Sequence, residues 1–294
     1  MCGIIGVISR KSLRVSSIKK MNDAITHRGP DSEGFFFAGD VINDIHLEKI
    51  DTVTSKNLNV AFGHKRLSIV DLSKQGHQPM HYMDRYWITY NGEIYNYIEL
   101  KKELKKLGYS FKSQTDTEVI LAAYDAWGVN CQNKFNGMWA FALFDIKKEV
   151  IFISRDRFGI KPLYFYQDNK SFIFASEIKA LLENEEVVTA PNVNFLKEFY
   201  NTGTKAYMQE TAFINIYRFN FSSYVVLDSK NFTEKISEIR YWDYEVDTSV
   251  EEYSHDVAVN YAHKYYLLLK DAVRIRLRAD VNIGTTLSGG LDSS

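Results

Sequence analysis

The chain has 294 residues, 45% hydrophobic and 25% charged, proportions typical of a soluble globular protein. Its formal net charge of −1 gives no electrostatic reason to expect nucleic acid or an anionic membrane as a partner. No apolar stretch approaches the roughly 18–20 residues that a membrane-spanning helix needs, and the first residues lack a signal-peptide pattern. Two cysteines give no disulfide framework, so we expect a cytoplasmic protein. Cys131 is predicted to be a small core residue.

Strands dominate the first two-thirds of the chain, where short apolar runs alternate with turn residues. Strands are predicted over residues 4–8, 34–37, 58–62, 86–90, 139–144, 150–154, 163–166 and 172–175. The polar residues of 167–170 predict that the last two strands form a hairpin.

Amphipathic patterns predict helices between these strands. The first helix carries its apolar residues on one face, namely Val15, Ile18, Met21 and Ile25. A second covers 97–107 and ends at Gly108, and a third begins with a capping box at Thr115 and ends before Gly128. Many strands with a few helices predict an α+β fold, an αββα four-layer sandwich of two mainly antiparallel sheets.

The composition changes after about residue 220. A polar stretch leads to a long amphipathic helix near 258–275, whose end carries the three arginines Arg274, Arg276 and Arg278, predicted to be solvated. A strand is predicted at 281–287. One helix and one strand cannot bury their own apolar faces, so we expect an incomplete α/β second domain. The predicted organisation is a first domain at 1–210, a connecting segment at 211–254 and the truncated start of a second domain at 255–294.

Cys2 is the first candidate for chemistry. Once Met1 is removed, Cys2 carries a thiol and a free α-amine, which place a nucleophile and a base on one residue. An α-amine has an ordinary pKa of about 7.7–8.0, close to the pH at which a general base is most useful. The alternative is a cysteine that merely follows the initiator residue.

Three other polar features have a chemical and a structural interpretation. The Asn91 side chain and the Gly92 backbone N–H would point two donors at one oxyanion, or the pair would form a β-turn. Arg66, at the end of a predicted strand, would clamp a carboxylate or form a surface ion pair. Asp116, in the first turn of a helix, would accept a hydrogen bond from a substrate ammonium, or it would simply cap the helix, whose dipole favours a negative charge there.

Short motifs occur in an order that resembles the glutamine-hydrolysing asparagine synthetases. They read CGI from Cys2, HRGPD from His27, HKRLS from His64, NGEIYN from Asn91, TDTE from Thr115, RDRFGIKPLY from Arg155 and SEIK from Ser176. The amino-terminal half of that family is a class II glutamine amidotransferase of the N-terminal-nucleophile hydrolase fold. The resemblance covers essentially the whole chain and implies the same αββα sandwich.

The resemblance also implies a role for individual residues. Cys2 would attack the side-chain amide of glutamine while its own α-amine relays the proton, and Asn91 and Gly92 would form the oxyanion hole. The implied glutamine-binding residues are Arg66, Leu67, Ile69, Glu93 and Asp116. Among them, Arg66 would hold the α-carboxylate of glutamine, and Glu93 and Asp116 would hold its ammonium. The glutaminase step would need no cofactor and no metal.

The last seven residues resemble the pyrophosphatase-type loop of ATP-dependent adenylating enzymes. They are Ser288, Gly289, Gly290, Leu291, Asp292, Ser293 and Ser294. A strand followed by glycines lets backbone N–H groups approach phosphate closely, and a simple Gly-Gly turn is the alternative. In the family, ATP and Mg²⁺ activate aspartate, which ammonia from the glutaminase then attacks.

The sequence thus favours a glutamine amidotransferase of asparagine-synthetase type, with glutamine as substrate and with ATP and aspartate as substrates of a full-length enzyme. This chain alone is expected at most to hydrolyse glutamine. Two alternatives stay open: amidation of another carboxylate, such as a sugar acid, and a catalytically dead regulatory fragment in which Met1 persists. The family is often dimeric, so a homodimer is one expectation for the assembly.

Overall fold

The apolar runs of the sequence form two β-sheets. The computed structural model describes residues 1–39, 43–45, 57–203, 208–232, 236–249 and 252–290. In chain order the described strands are β1 (Gly3–Ser9), β2 (Ser32–Gly39), β3 (Asn43–Ile45), β4 (Leu58–Arg66), β5 (Met80–Tyr82), β6 (Tyr86–Ile94), β7 (Gly137–Asp145), β8 (Val150–Arg155), β9 (Tyr164–Gln167), β10 (Ser171–Ala175), β11 (Ile216–Arg218), β12 (Ser223–Asp228) and β13 (Ile239–Arg240). All eight predicted strands are present, and β9 and β10 pair as the predicted hairpin.

Both sheets are antiparallel. The seven-stranded sheet has the order β11-β9-β10-β1-β4-β2-β3, and the six-stranded sheet has the order β13-β12-β8-β7-β6-β5. Every neighbouring pair is antiparallel. The strand β1, which begins one residue after Cys2, therefore lies in the middle of a sheet, where two neighbours hold the start of the chain in place.

Helices flank the sheets. The described α-helices are α1 (Val15–Asp23), α2 (Tyr97–Lys106), α3 (Asp116–Trp127), α4 (Cys131–Lys134), α5 (Ile178–Leu182), α6 (Val193–Thr202) and α7 (His255–Arg276). The Thr115 side chain accepts a hydrogen bond from the Glu118 backbone N–H at 3.2 Å, which confirms the predicted cap of α3. Gly108 and Gly128 take positive φ values of 95° and 59° where α2 and α3 end.

Three apolar layers hold the elements together. Phe36 from one sheet and Trp87 from the other stack with ring centroids 4.4 Å apart, within a core that fills the space between the sheets. A second core joins α1 and α5 to the outer face of the seven-stranded sheet, and a third joins α2 and α3 to the six-stranded sheet. The predicted αββα sandwich is thus confirmed, and Cys131 is buried and free within the third core.

The carboxyl-terminal part differs from the prediction. The predicted strand at 281–287 is wrong, because the described residues 281–290 form neither helix nor strand. A strand is stable only with a neighbour to complete its hydrogen bonds, and no described strand pairs with this segment. In contrast, β11, β12 and β13 from the predicted connecting segment extend both sheets. The boundaries at 210 and 254 stay predictions. None of the described helices combines the length and apolarity needed to cross a membrane.

Candidate functional site

A cleft of about 170 Å³ lies at the start of β1, beside the ends of β4 and β6 and the start of α3. Its lining includes all the residues predicted for catalysis and glutamine binding, namely Cys2, Arg66, Leu67, Ile69, Asn91, Gly92, Glu93 and Asp116. These residues are far apart in the sequence, and the two sheets bring them to one place.

Cys2 lies next to the loop that follows β4. The backbone N–H of Leu67 donates to Cys2 Sγ at 3.3 Å, and Sγ lies 3.5 Å from the Leu67 carbonyl oxygen. Burial raises the pKa of the Cys2 thiol, and the hydrogen bond from Leu67 only partly offsets this effect. The thiol therefore rests in its neutral form and needs a base before it can act as a nucleophile.

Asn91 and Gly92 lie within β6 and pair with Ala140 and Trp139 of β7, so they do not form the alternative β-turn. The Asn91 side chain is 1% exposed, and neither its nitrogen nor its oxygen has a hydrogen-bond partner among the described residues. An unsatisfied buried polar group costs about 1–3 kcal/mol. Because Asn91 and Cys2 line the same cleft, the Asn91 side-chain NH₂ is a donor available to a ligand there.

Arg66 ends β4 with its side chain buried. Its guanidinium donates to the carbonyl oxygens of Ser73 at 3.1 Å and Val70 at 3.3 Å, and also to that of Asp71. No carboxylate of the described chain forms an ion pair with it, so the alternative of a surface ion pair does not apply. The backbone of one loop thus fixes the direction of this cation.

Two acidic side chains lie in the same cleft. Asp116 Oδ2 accepts from the Tyr90 hydroxyl and from the backbone N–H of Ile94, both at 2.8 Å, which joins the start of α3 to β6. Burial raises the pKa of Asp116 and of Glu93 because it disfavours their charged forms, and a cation bound beside them would favour those forms again. A cation and two acids within one cleft match the two charged groups of an amino acid.

Arg28 and Glu177 belong to the site region, although no role was predicted for them. Arg28 Nε donates to the carbonyl oxygen of Cys2 at 2.9 Å, and its Nη1 donates to Glu177 Oε1 at 2.8 Å. Burial alone would raise the pKa of Glu177, but hydrogen bonds from Arg28, His27 and Lys179 lower it to about 2. The HRGPD and SEIK motifs contained these residues, yet only the fold places them side by side.

Lys161 is a third residue that sequence reasoning missed. It is buried, lines the cleft, and its Nζ lies 3.3 Å from Met1 Sδ. Asp156 Oδ2 accepts from the backbone N–H groups of Trp139 and Lys161, which fixes the turn that presents the lysine. Burial lowers the pKa of Lys161, and the nearby Glu93 and Cys2 oppose this shift. Met1 and a buried ammonium therefore meet at the mouth of the cleft.

The predicted ATP-binding residues lie elsewhere. Ser288, Gly289 and Gly290 are exposed and do not line the cleft, and Gly289 has a φ of 76°. The other four predicted residues, Leu291, Asp292, Ser293 and Ser294, lie outside the described residues. Within the part of the chain that the structure describes, no three histidine, cysteine or acidic side chains gather as metal ligands.

Comparison with known families agrees with the fold. Residues 1–54 and 48–242 match the family described as "Glutamine amidotransferase domain", and residues 264–294 match "Asparagine synthase". The solved structure of the Bacillus subtilis glutamine phosphoribosylpyrophosphate amidotransferase has a TM-score of 0.58 and 17% identity, covering 81% of this chain and 49% of that one. At this identity the likeness concerns the fold alone. The sandwich is that of a glutamine amidotransferase.

Sequence relatives narrow this class. A Methanocaldococcus jannaschii protein, provisionally named a glutamine-hydrolysing asparagine synthetase, is 40% identical over 311 residues, covering 100% of this chain and 56% of that protein. The B. subtilis glutamine-hydrolysing asparagine synthetase 3 is 34% identical over 300 residues, covering 100% of this chain and 44% of that protein. The chain belongs to the family of the glutamine-hydrolysing asparagine synthetases, and it spans about half the length of these curated relatives.

Proposed function

We propose that this chain, once Met1 has been removed, hydrolyses glutamine to glutamate and ammonia. Cys2 supplies the nucleophile and its α-amine supplies the base. Family membership and the position of Sγ in the cleft support this assignment. Because burial raises the pKa of the thiol, a base on the same residue is the shortest route to a thiolate.

The reaction proceeds in two stages. The α-amine takes the thiol proton as Sγ attacks the amide carbon of glutamine, and the carbonyl electron pair moves to oxygen. The Asn91 side-chain NH₂ and the Gly92 backbone N–H donate to this oxyanion. The protonated amine then gives its proton to the amide nitrogen, the C–N bond breaks and ammonia leaves. Water, deprotonated by the amine, attacks the resulting thioester, the C–S bond breaks, and the amine returns its proton to sulfur as glutamate leaves.

One observation carries the proposal: the buried Asn91 amide lacks a hydrogen-bond partner among the described residues and lines the same cleft as Cys2. Buried polar groups in folded chains are almost always hydrogen-bonded to protein or water, so the Asn91 amide has room for a partner. An oxyanion formed next to Sγ would supply the missing acceptor. The glycine at position 92 is required by strand packing, because a Cβ on it would lie 2.3 Å from the Met138 carbonyl oxygen.

Charge explains why glutamine would be selected. Free glutamine is a zwitterion, so a selective pocket pairs a fixed cation with fixed anions at the end away from the nucleophile. Arg66 is proposed to hold the α-carboxylate, and Glu93 and Asp116 the ammonium. The lining residues Leu67 and Ile69 complete the proposed glutamine-binding set.

The test is a glutamate-release assay on a preparation whose intact mass shows that Met1 is absent. We expect wild-type turnover, no release above background for Cys2→Ala, and a kcat lower by about 10²–10³-fold for Asn91→Ala. Cys131→Ala is the matched control, because Cys131 is buried in the core and does not line the cleft. Its activity should be retained.

Two results would contradict the proposal: glutamate release that survives Cys2→Ala, or an inactive wild-type chain with a free Cys2 amine. A chain that retains Met1 should be inactive, because the α-amine of Cys2 is then tied up in a peptide bond. The mass measurement therefore distinguishes the processed chain from the alternative, a dead regulatory fragment in which Met1 persists.

For a protein of the full length of these relatives, we propose that ATP with Mg²⁺ activates aspartate and that ammonia from the glutaminase converts it to asparagine. The match of residues 264–294 to asparagine synthase supports this, and the proposed ATP-binding residues are those of 288–294. The glutaminase step itself would need no cofactor. An acceptor assay of the full-length enzyme with aspartate and with sugar acids distinguishes the two acceptor classes. We also propose a cytoplasmic location and a homodimer; light scattering on the purified chain would test the homodimer.

A further inference from the structure

The segment after α7 returns to the sandwich and contacts the loop at 67–76, which follows β4. The backbone N–H of Asp71 donates to Asp280 Oδ2 at 2.7 Å. The backbone N–H of Asp280 donates to the carbonyl oxygen of Ile69 at 2.9 Å. One residue thus makes two hydrogen bonds, one as acceptor and one as donor, to a loop more than two hundred residues earlier in the chain.

A second contact holds the same segment. Both Nη atoms of Arg278 donate to the two carboxylate oxygens of Glu99 at 2.6 Å, and Nη1 also donates to the carbonyl oxygen of Tyr95. The Arg278 side chain is only 14% exposed, so the prediction of a solvated helix end is wrong for this arginine. A bidentate pair of this kind fixes both distance and orientation.

The contacted loop is the one that directs Arg66. The carbonyl oxygens of Val70, Asp71 and Ser73 accept from its guanidinium. Asp280 binds the N–H of Asp71, whose own carbonyl oxygen accepts from Arg66. A continuous path of hydrogen bonds therefore runs from the segment at 278–280 to the cation of the glutamine site.

We propose that Asp280 is a positioning residue for glutamine, an inference that rests on the proposed glutaminase function. It fixes the 67–76 loop and, through the loop carbonyls, the guanidinium that holds the substrate carboxylate. Asp280 and Arg278 both lie in the part of the chain that matches asparagine synthase. The contact thus couples the part of the chain that matches the glutamine amidotransferase domain to the part that matches asparagine synthase. Any change that moves this segment alters glutamine affinity.

The experiment compares Asp280→Ala with Asp280→Asn and with Asp271→Ala. Asp280→Asn keeps an oxygen that can accept from Asp71, and among the described residues Asp271 pairs only with Arg274, at an exposed position on α7. Loss of the acceptor leaves the loop to be ordered when substrate binds, so we expect the KM for glutamine to rise about three- to tenfold for Asp280→Ala. The kcat should stay within about twofold, because the oxyanion donors are unchanged. Asp280→Asn should restore most of the affinity, and Asp271→Ala should match the wild type.

Hydrogen exchange separates this proposal from the proposed function. Peptides covering 67–76 should exchange faster in Asp280→Ala than in the wild type or in Asp271→Ala, whether or not the chain turns over glutamine.

Arg278→Ala provides a second variant with the same expected direction if Asp280→Ala does not fold. Unchanged exchange and unchanged KM in the folded variant would overturn the proposal. So would a loss of kcat with an unchanged KM. An inactive wild type with the expected exchange difference would instead count only against the proposed function.

Discussion

The sandwich and the carboxyl-terminal segment at 252–290 use their apolar residues differently. In the sandwich, large side chains such as Phe62 and Trp139 are fully buried. On α7, Leu268 is 71% exposed and Tyr265 is 67% exposed, and Ile275 is the one buried residue within that described helix. An amphipathic pattern identifies which face of a helix is apolar, but it does not tell whether the chain supplies a partner for that face. The candidate glutamine site is built on the region whose core is complete.

The largest expected effect tests this difference directly. Phe62 lies between the sheets, with its ring centroid 5.8 Å from Phe36 and 5.9 Å from Phe174. Phe62→Ala should lower the free energy of unfolding by about 3–5 kcal/mol through lost burial and a cavity. Tyr265→Ala, a matched aromatic truncation on α7, should change it by less than about 0.5 kcal/mol. Denaturant unfolding measures both, and equal losses would contradict the contrast between the regions.

The second effect concerns the ion pair between Arg28 and Glu177, which holds the backbone of Cys2. Hydrogen bonds from Arg28, His27 and Lys179 hold the pKa of Glu177 at about 2 in the folded chain, against an ordinary value of 4.5. An acid whose pKa is lowered in the folded chain stabilises the fold at any pH above its ordinary pKa. This contribution is lost as the pH falls toward 2. Allowing for partial exposure, the contribution is about 2–3 kcal/mol at neutral pH.

Glu177→Gln should therefore lower stability at pH 7 and remove part of the acid-induced loss, as measured by denaturant unfolding between pH 7 and pH 2. The control is Glu185→Gln, because Glu185 pairs with Arg14 at an exposed position. Exposed pairs contribute about 0–1 kcal/mol, so this variant should follow the wild-type pH profile. If both variants behave alike, the Arg28–Glu177 pair has no special stabilising role.

The contrast also explains what could be predicted from the sequence. The long strands of the sandwich have apolar runs that need no further context, whereas the short edge strands β3, β5 and β13 depend on the neighbour with which they pair. The predicted strand at 281–287 failed for the same reason, since no described strand pairs with it. In the site, the motifs identified Cys2 and Asn91, and their proposed roles stay predictions. The pairing of Arg28 with Glu177 depends on the packing of distant elements, which no local pattern encodes.

A third effect concerns the base. Burial lowers the pKa of the amino terminus below its ordinary value of 8.0, and the positive charges of Arg28 and Lys161 add to this effect, while Cys2 and Asp31 oppose it. The same surroundings should act on the α-amine of Cys2 after Met1 is removed. Because the amine must be neutral to accept the thiol proton, kcat/KM should rise with pH through a midpoint below 8.0.

Lys161→Met should move this midpoint to higher pH, since one positive charge near the amine is lost. A pH profile of glutamate release measures the shift. The control is Lys264→Met, because Lys264 lies on α7 and does not line the cleft. An unchanged midpoint in Lys161→Met would mean that this ammonium does not act on the base.

The smallest effect is expected on α7 itself. Leu268 is 71% exposed, so Leu268→Ala removes little buried surface and replaces one good helix former with another. The free energy of unfolding should change by less than about 0.5 kcal/mol, and the glutaminase rate should change by less than about twofold. Measuring both at several protein concentrations strengthens the test. A concentration-dependent loss would mean that the apolar face of α7 is covered by a second copy of the chain, and the contrast between the two regions would then hold only for the isolated protomer.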